Sequence, residues 1–289
     1  MKKSLLSRLR SNGVSYIISA LLLLLGIPLY QALVLVPQGY NTALSANGTT
    51  RFSTYLTWIS GHSLQFLLYR ALLIIAFALI FTLPYSLYRI IVAQELMGQA
   101  EQAEAEESEE PEEASPSEAQ DKTDQDEQAD AAQTENDALP PNAWRGKGFA
   151  ILAIWAGILG LSLYLLGTLA STLYLLIVSG NLTGAAADNV TNLSSIFTIT
   201  ANTVGIGLLA LSTLFFGAFI VRSGLNLWPG IWVAFGYTAL GLTPLLTGSA
   251  VAVATAPGSS QGLLTSLATL LFALWVLWLG IMLVRLKPE

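Results

Sequence analysis

The chain has 289 residues, of which 53% are hydrophobic and 11% charged, with a formal net charge of −6 and no cysteine. A soluble domain carries about 25% charged residues, so a water-covered globular surface is excluded for most of this chain, and lipid is the expected solvent. Disulfides, thiolate metal sites and cysteine nucleophiles are excluded as well.

Charge is sorted by position. Between Glu95 and Asp137 lie 17 of the 19 acids and a single base, Lys122, a net of −16. The remainder holds twelve Lys and Arg against Asp188 and Glu289, a net of +10. An acidic insert therefore sits inside a basic, apolar chain.

Taken in order, the chain opens with Lys2, Lys3, Arg8 and Arg10 ahead of an apolar run, Val14 to Val36. A cleavable signal core is about 7–15 residues long, so this run is read as an uncleaved first span; cleavage near Ser45 or Ala46 is the alternative. The basic cluster is routine topology signalling and suits an anionic leaflet. Pro37 to His62 reads as a long polar loop. The second span is Ser63 to Val92, with its apolar centre between Arg70 and Arg89.

Residues 93–147 form the acidic linker. No Val, Ile, Leu, Met or aromatic residue occurs from Gly98 to Asp137, so the segment cannot bury enough apolar area to offset the entropy of ordering, and disorder is expected. Its Ala/Glu/Gln-rich start, to about Glu107, has the propensity to prolong the second helix. The third span is Phe149 to Val178, the fourth Ile196 to Val221, the fifth Trp228 to Leu246 and the sixth Leu263 to Val284. The apolar stretch around Ser249 to Ala254 reads as a fifth helix continuing past Pro244, with a re-entrant dip over 247–262 as the alternative.

The fold class is thus an all-α integral membrane protein of six transmembrane helices. A two-helix hairpin in 1–92 and a four-helix domain in 148–289 are joined by the linker. Basic residues favour the cytoplasmic face. With the N-terminus inside, eleven of the 13 fall on that side, and only Arg51 and Arg70 fall outside. Both termini and the linker are expected in the cytoplasm, with a bacterial inner membrane as the setting. Tyr16, Tyr88, Trp144 and Trp228 are placed at the inner boundary, where amphipathic rings favour the headgroups; Tyr30, Tyr69 and Tyr174 are placed at the outer one. Sequons at Asn47, Asn181, Asn189 and Asn192 all fall outside, and read as ordinary loop chemistry. Gly26-Ile27-Pro28, Pro84 and Pro244 are expected to kink their spans. Gly160, Gly167 and Ser171, with Gly205, Gly207, Gly217, Gly230, Gly236 and Gly241, are expected to let helices approach closely.

Chemistry is sparse. None of the six predicted spans contains Asp or Glu, which weighs against carboxylate-coupled ion transport. His62 is the only histidine and reads as a surface residue. No nucleotide-binding, zinc-protease or serine-nucleophile motif occurs. No catalytic residue, metal site or cofactor is expected. One candidate cluster emerges at the outer leaflet. Arg70 lies 19 residues before Arg89 and either snorkels to the headgroups or pairs with polar groups at its depth, for which Gln31, Gln65 and Asn202 are the candidates. The expected function is a non-catalytic accessory, assembly or organising component whose tract, 101–137, tethers or docks basic cytoplasmic or membrane partners. Besides the lipid bilayer no partner is specified, and no nucleic acid is expected. A small transporter or channel for neutral or weakly polar solutes is the alternative.

Overall fold

The computed structural model describes residues 3–45, 50–109, 147–180, 187–256 and 262–286. All regular structure among them is helical. Six helical stretches are long and apolar enough to cross a membrane: Ser7–Leu35, Ser63–Glu95, Gly148–Gly180, Leu193–Leu225, Gly230–Thr255 and Leu263–Val284. Their number matches the expectation, and each overlaps its predicted counterpart.

The first span consists of α1 (Lys3–Leu21), a π turn (Leu22–Gly26), α2 (Ile27–Tyr30) and a second π turn (Gln31–Leu35). The two π turns flank Pro28, whose missing N–H and ring displace the regular ladder. The second span divides into α5 (Ser63–Leu79) and α6 (Leu83–Glu109), with the break falling just before Pro84, which sits in the first turn of α6 where proline is tolerated. Then come α7 (Lys147–Gly180), α8 (Ala187–Ile199), a third π turn (Thr200–Gly205), α9 (Ile206–Leu227), α10 (Gly230–Thr255) and α11 (Leu263–Val284). Helix α10 runs through Pro244 to Thr255 as one helix, in accord with the reading that the fifth helix continues. Gly224, with φ 58° and ψ −155°, breaks the end of α9 in a conformation that favours glycine.

The spans form a ring in chain order. Each packs on the next, and α1 packs on α11 to close it. The hairpin of 1–92 and the four later spans share one core, with Tyr16, Phe77, Leu161, Phe216, Phe235 and Phe272 among its buried members. Outward faces are apolar: Leu33 is 72% exposed, Leu166 63% and Ile177 64%. Water would penalise such a surface, whereas hydrocarbon would not.

Inside the ring, small residues bring backbones together. A Cβ on Gly160 would lie 2.7 Å from the Gly205 carbonyl oxygen, and one on Gly217 2.9 Å from that of Gly236. Gly13 and Gly280 make an equivalent crossing of α1 over α11, absent from the expected set, whereas Gly241 faces open space. Buried hydroxyls serve backbone acceptors, as in Ser19 Oγ to Ala76 O at 2.7 Å and Ser212 Oγ to Ala153 O at 2.7 Å. The Tyr16 hydroxyl bridges Ser86 at 2.8 Å and Thr82 at 3.0 Å.

Both chain ends and the start of the linker lie at one end of the bundle. Arg10 donates from Nε to Leu286 O at 3.0 Å, just beyond α11, a cation on the negative end of a helix. Gln94 Nε2 donates to Leu227 O at 2.6 Å and fastens α6 to the end of α9.

Two expectations need correction. Tyr16 and Trp228 are not boundary belt residues: both are buried, at 0% and 3% exposure, because neighbouring helices enclose them. The helical extension expected at the start of the linker is present, since α6 continues to Glu109; the expectation of disorder for the rest falls on 110–146, outside the described residues, as does Trp144. Finally, 37–62 is not a plain polar loop. It contains α3 (Tyr40–Ser45) and α4 (Thr50–Gly61), which bury Tyr40, Ala43, Leu56, Trp58 and Ile59 against Leu35, Phe66 and Leu175. These helices cap the end of the bundle opposite the chain termini.

Candidate functional site

Beneath the cap, Arg70 sits two turns into α5. Its side chain is half-buried, and its Nε is fully buried with no hydrogen-bond partner. The surroundings are aromatic. The guanidinium carbon stands 5.3 Å from the Phe66 ring centre, a cation–π distance. Tyr40 and Tyr55 from the cap, Tyr69 from α5 and Tyr164 from α7 are all near enough to act on its charge. Tyr40 packs on Trp58 with centroids 4.9 Å apart, and Trp58 Nε1 donates to Gln38 O at 2.7 Å, holding the turn that leads into α3. His62 is part of this cap, stacked on Trp58 at 5.0 Å with Nδ1 3.1 Å from the Trp58 carbonyl.

The Tyr55 hydroxyl is buried without a completed hydrogen bond, although Tyr40 and Arg70 both stand close to it. Burial pushes its pKa up from 10.0, with the Arg70 charge opposing. An acid whose folded pKa is raised holds its proton more tightly in the fold. Its stabilising effect is therefore whole below 10.0 and is lost as pH rises above that value. Thermal stability of wild type is expected to fall with pH above 10 more steeply than that of Tyr55→Phe, which cannot ionise there; equal slopes in a pH series of melting curves would refute this.

Arg70 lines a cavity of about 90 Å³, large enough to admit water. Helix α5 contributes Tyr69, Arg70 and Leu73. Helix α7 contributes Tyr164, Gly167, Thr168 and Ser171, and the fourth span contributes Phe197, Thr198, Ala201 and Asn202. The third π turn sets the last two residues, and π turns recur at functional sites because they re-aim side chains. Gly167 permits the approach, since its Cβ would meet the Ala201 Cβ at 2.9 Å. Thr168 and Ser171 are buried. Thr198 Oγ1 donates to Ser194 O at 2.9 Å, and Asn202 Nδ2 to Thr198 O at 3.2 Å, which leaves Asn202 one Nδ2 hydrogen and its amide oxygen, and Thr198 only lone pairs, for other contacts.

Of the four residues singled out from the sequence, Arg70 and Asn202 line this one cavity. Gln31 and Gln65 do not; Gln31 lies in the second π turn, and Gln65 supplies its backbone carbonyl to the Tyr30 hydroxyl at 3.2 Å. Sequence reasoning missed Tyr40, Tyr55 and Thr168 and placed Tyr69 and Ser171 in other roles. The available signal was the aromatic density of 40–69, which holds Tyr40, Phe52, Tyr55, Trp58, Phe66 and Tyr69. No protein-family model, curated protein or solved structure matches the chain.

Proposed function

We propose that this chain is a multi-pass protein of a bacterial cytoplasmic membrane, with both termini and the acidic tract in the cytoplasm, that acts without catalysing a reaction. It serves as an accessory or organising component, and residues 101–137 capture basic partners. The observation that carries the reading is the course of α6. The helix continues unbroken from the bundle to Glu109, at the end where Arg10 and Gln94 tie the helix termini together. The start of the tract is thus carried away from the bundle on a helix rather than on a slack loop. The density of like charge that follows suits long-range, salt-sensitive capture of basic partners. The apolar exterior supports the membrane setting, and the bias of Lys and Arg supports the orientation.

Deleting Glu101 to Asp137 is expected to leave insertion and folding intact while lowering the yield of crosslinked partners at least several-fold. The measurement is crosslinking in native membranes with mass-spectrometric identification, on full-length and deleted protein. The same partners at the same yield from both forms would remove the docking role.

A further inference from the structure

We propose that the cavity between α5, α7 and the fourth span binds a singly charged, phosphate-type oxyanion, with Arg70 as its cation and Asn202, Ser171 and Thr168 as its polar walls. This lies beyond the docking role of the tract, at the opposite end of the bundle.

Four observations converge. First, Arg70 is a half-buried cation with a buried Nε, and its neighbours are rings and hydroxyls; no carboxylate among the described residues pairs with it. A guanidinium in low dielectric is unfavourable unless its charge is met and its N–H groups are accepted, and its Nε lacks an acceptor. Buried donors of this kind call for a partner from outside the chain, and the sequence places only one acid between Asp137 and Glu289, Asp188. Second, the cavity at Arg70 has about 90 Å³, a size that admits a compact group of a few oxygen atoms. Third, hydroxyl and amide groups reach it from two further helices, α7 and the fourth span. The second Nδ2 hydrogen of Asn202 and the hydroxyls of Thr168 and Ser171 can donate beside the arginine fork, which meets two oxygens of a tetrahedral oxyanion at once. One cation matches one negative charge, as in a phosphodiester. Fourth, depth fits. The second span has 33 residues, about 50 Å at 1.5 Å each. Arg70 lies about 10 Å from its cap end, which is near the boundary between headgroups and hydrocarbon.

Two sources share this chemistry: the phosphodiester of a lipid headgroup and free inorganic phosphate. The test uses the full-length chain purified in an uncharged detergent. Melting temperature is titrated with short-chain phosphatidylglycerol, with inorganic phosphate, and with chloride at matched ionic strength. A saturable rise with the lipid alone identifies the headgroup as the source, and a rise with inorganic phosphate as well identifies the free anion. In either case Arg70→Gln is expected to weaken the response at least tenfold, while Arg222→Gln, at the far end, leaves it unchanged. Should Arg70→Gln fail to fold, Asn202→Leu decides, with a several-fold loss of affinity expected. No rise beyond that of chloride from either compound, or full affinity in both cavity variants, would overturn the proposal. The tract-deleted chain is expected to respond like wild type, so loss of partner capture and loss of anion binding are separable.

Discussion

Leucine in place of Gly160 is expected to be among the most disruptive single changes in this bundle. The Cβ it adds would lie 2.7 Å from the Gly205 carbonyl oxygen and 2.9 Å from the Leu209 nitrogen. Both are backbone atoms and cannot rotate aside, so α7 and the fourth span must separate. The crossing is reciprocal, because a Cβ on Gly205 would meet the Tyr164 nitrogen at 2.9 Å. Overpacking a filled interior costs about 1–3 kcal/mol, and more where only backbone can yield. In lipid the loss is compounded, because close van der Waals approach is the main force that associates helices there. Separation would also open the cavity beside Arg70, since Gly167 and Ala201 lie two turns along the same crossing. The control is Gly241→Leu, whose added Cβ meets nothing within 4 Å. Denaturation in mixed micelles should show Gly160→Leu destabilised by several kilocalories and Gly241→Leu near wild type; equal stability of the two variants would sink the packing account.

Phe235→Ala should produce the second large effect, for a different reason. Phe235 is fully buried on α10 and stacks on Trp275 of α11, with centroids 4.7 Å apart and planes within 10°. It also meets Trp232 and Trp278 edge-on at 5.9 and 6.0 Å. In water-soluble cores such a truncation costs about 3–5 kcal/mol, as lost transfer energy plus a cavity. With lipid around the bundle the transfer part largely disappears, because an apolar ring exchanges one apolar environment for another. The cavity and the lost ring contacts remain, so about 2–3 kcal/mol is expected. Phe235→Leu, which refills much of the space, should recover at least half of it. An alanine variant within 0.5 kcal/mol of wild type, by reversible unfolding in bicelles, would show that the aromatic cluster contributes little.

The two variants also separate two kinds of packing that the residues alone rank differently. Glycine at 160 belongs to a spacing of small residues that is readable from the chain, as are Gly205, Gly217 and Gly236. Gly13 and Gly280 are not part of any such run, yet they make the crossing that closes the ring. Nothing local to α1 or α11 marks them, because which helices become neighbours is a property of the whole ring. The same holds for the site. Arg70 and Asn202 stand out as polar residues in apolar segments, and both line the cavity. Gln31 and Gln65 stand out equally and do not line it, because depth along a span says nothing of the direction a side chain takes around it.

The segment 37–62 makes the point most sharply. Its polar residues and its position between two spans read as a loop, and its helices do not follow from any long apolar run. They exist because Tyr40, Leu56, Trp58 and Ile59 find a surface supplied by Leu35, Phe66 and Leu175, residues of three other helices. Without that surface a six-residue helix and a twelve-residue helix are too short to persist in water.

Hydropathy, charge placement and helix propensity act within one segment at a time, and they were enough to place six apolar helices roughly where they lie and to favour a fifth that passes Pro244 and a second that runs on into the acidic tract. The ring closure between first and last helices, the cap and the cavity around Arg70 depend on contacts between residues far apart in the chain. Their energies come from shape and burial that exist only once the helices have been brought together.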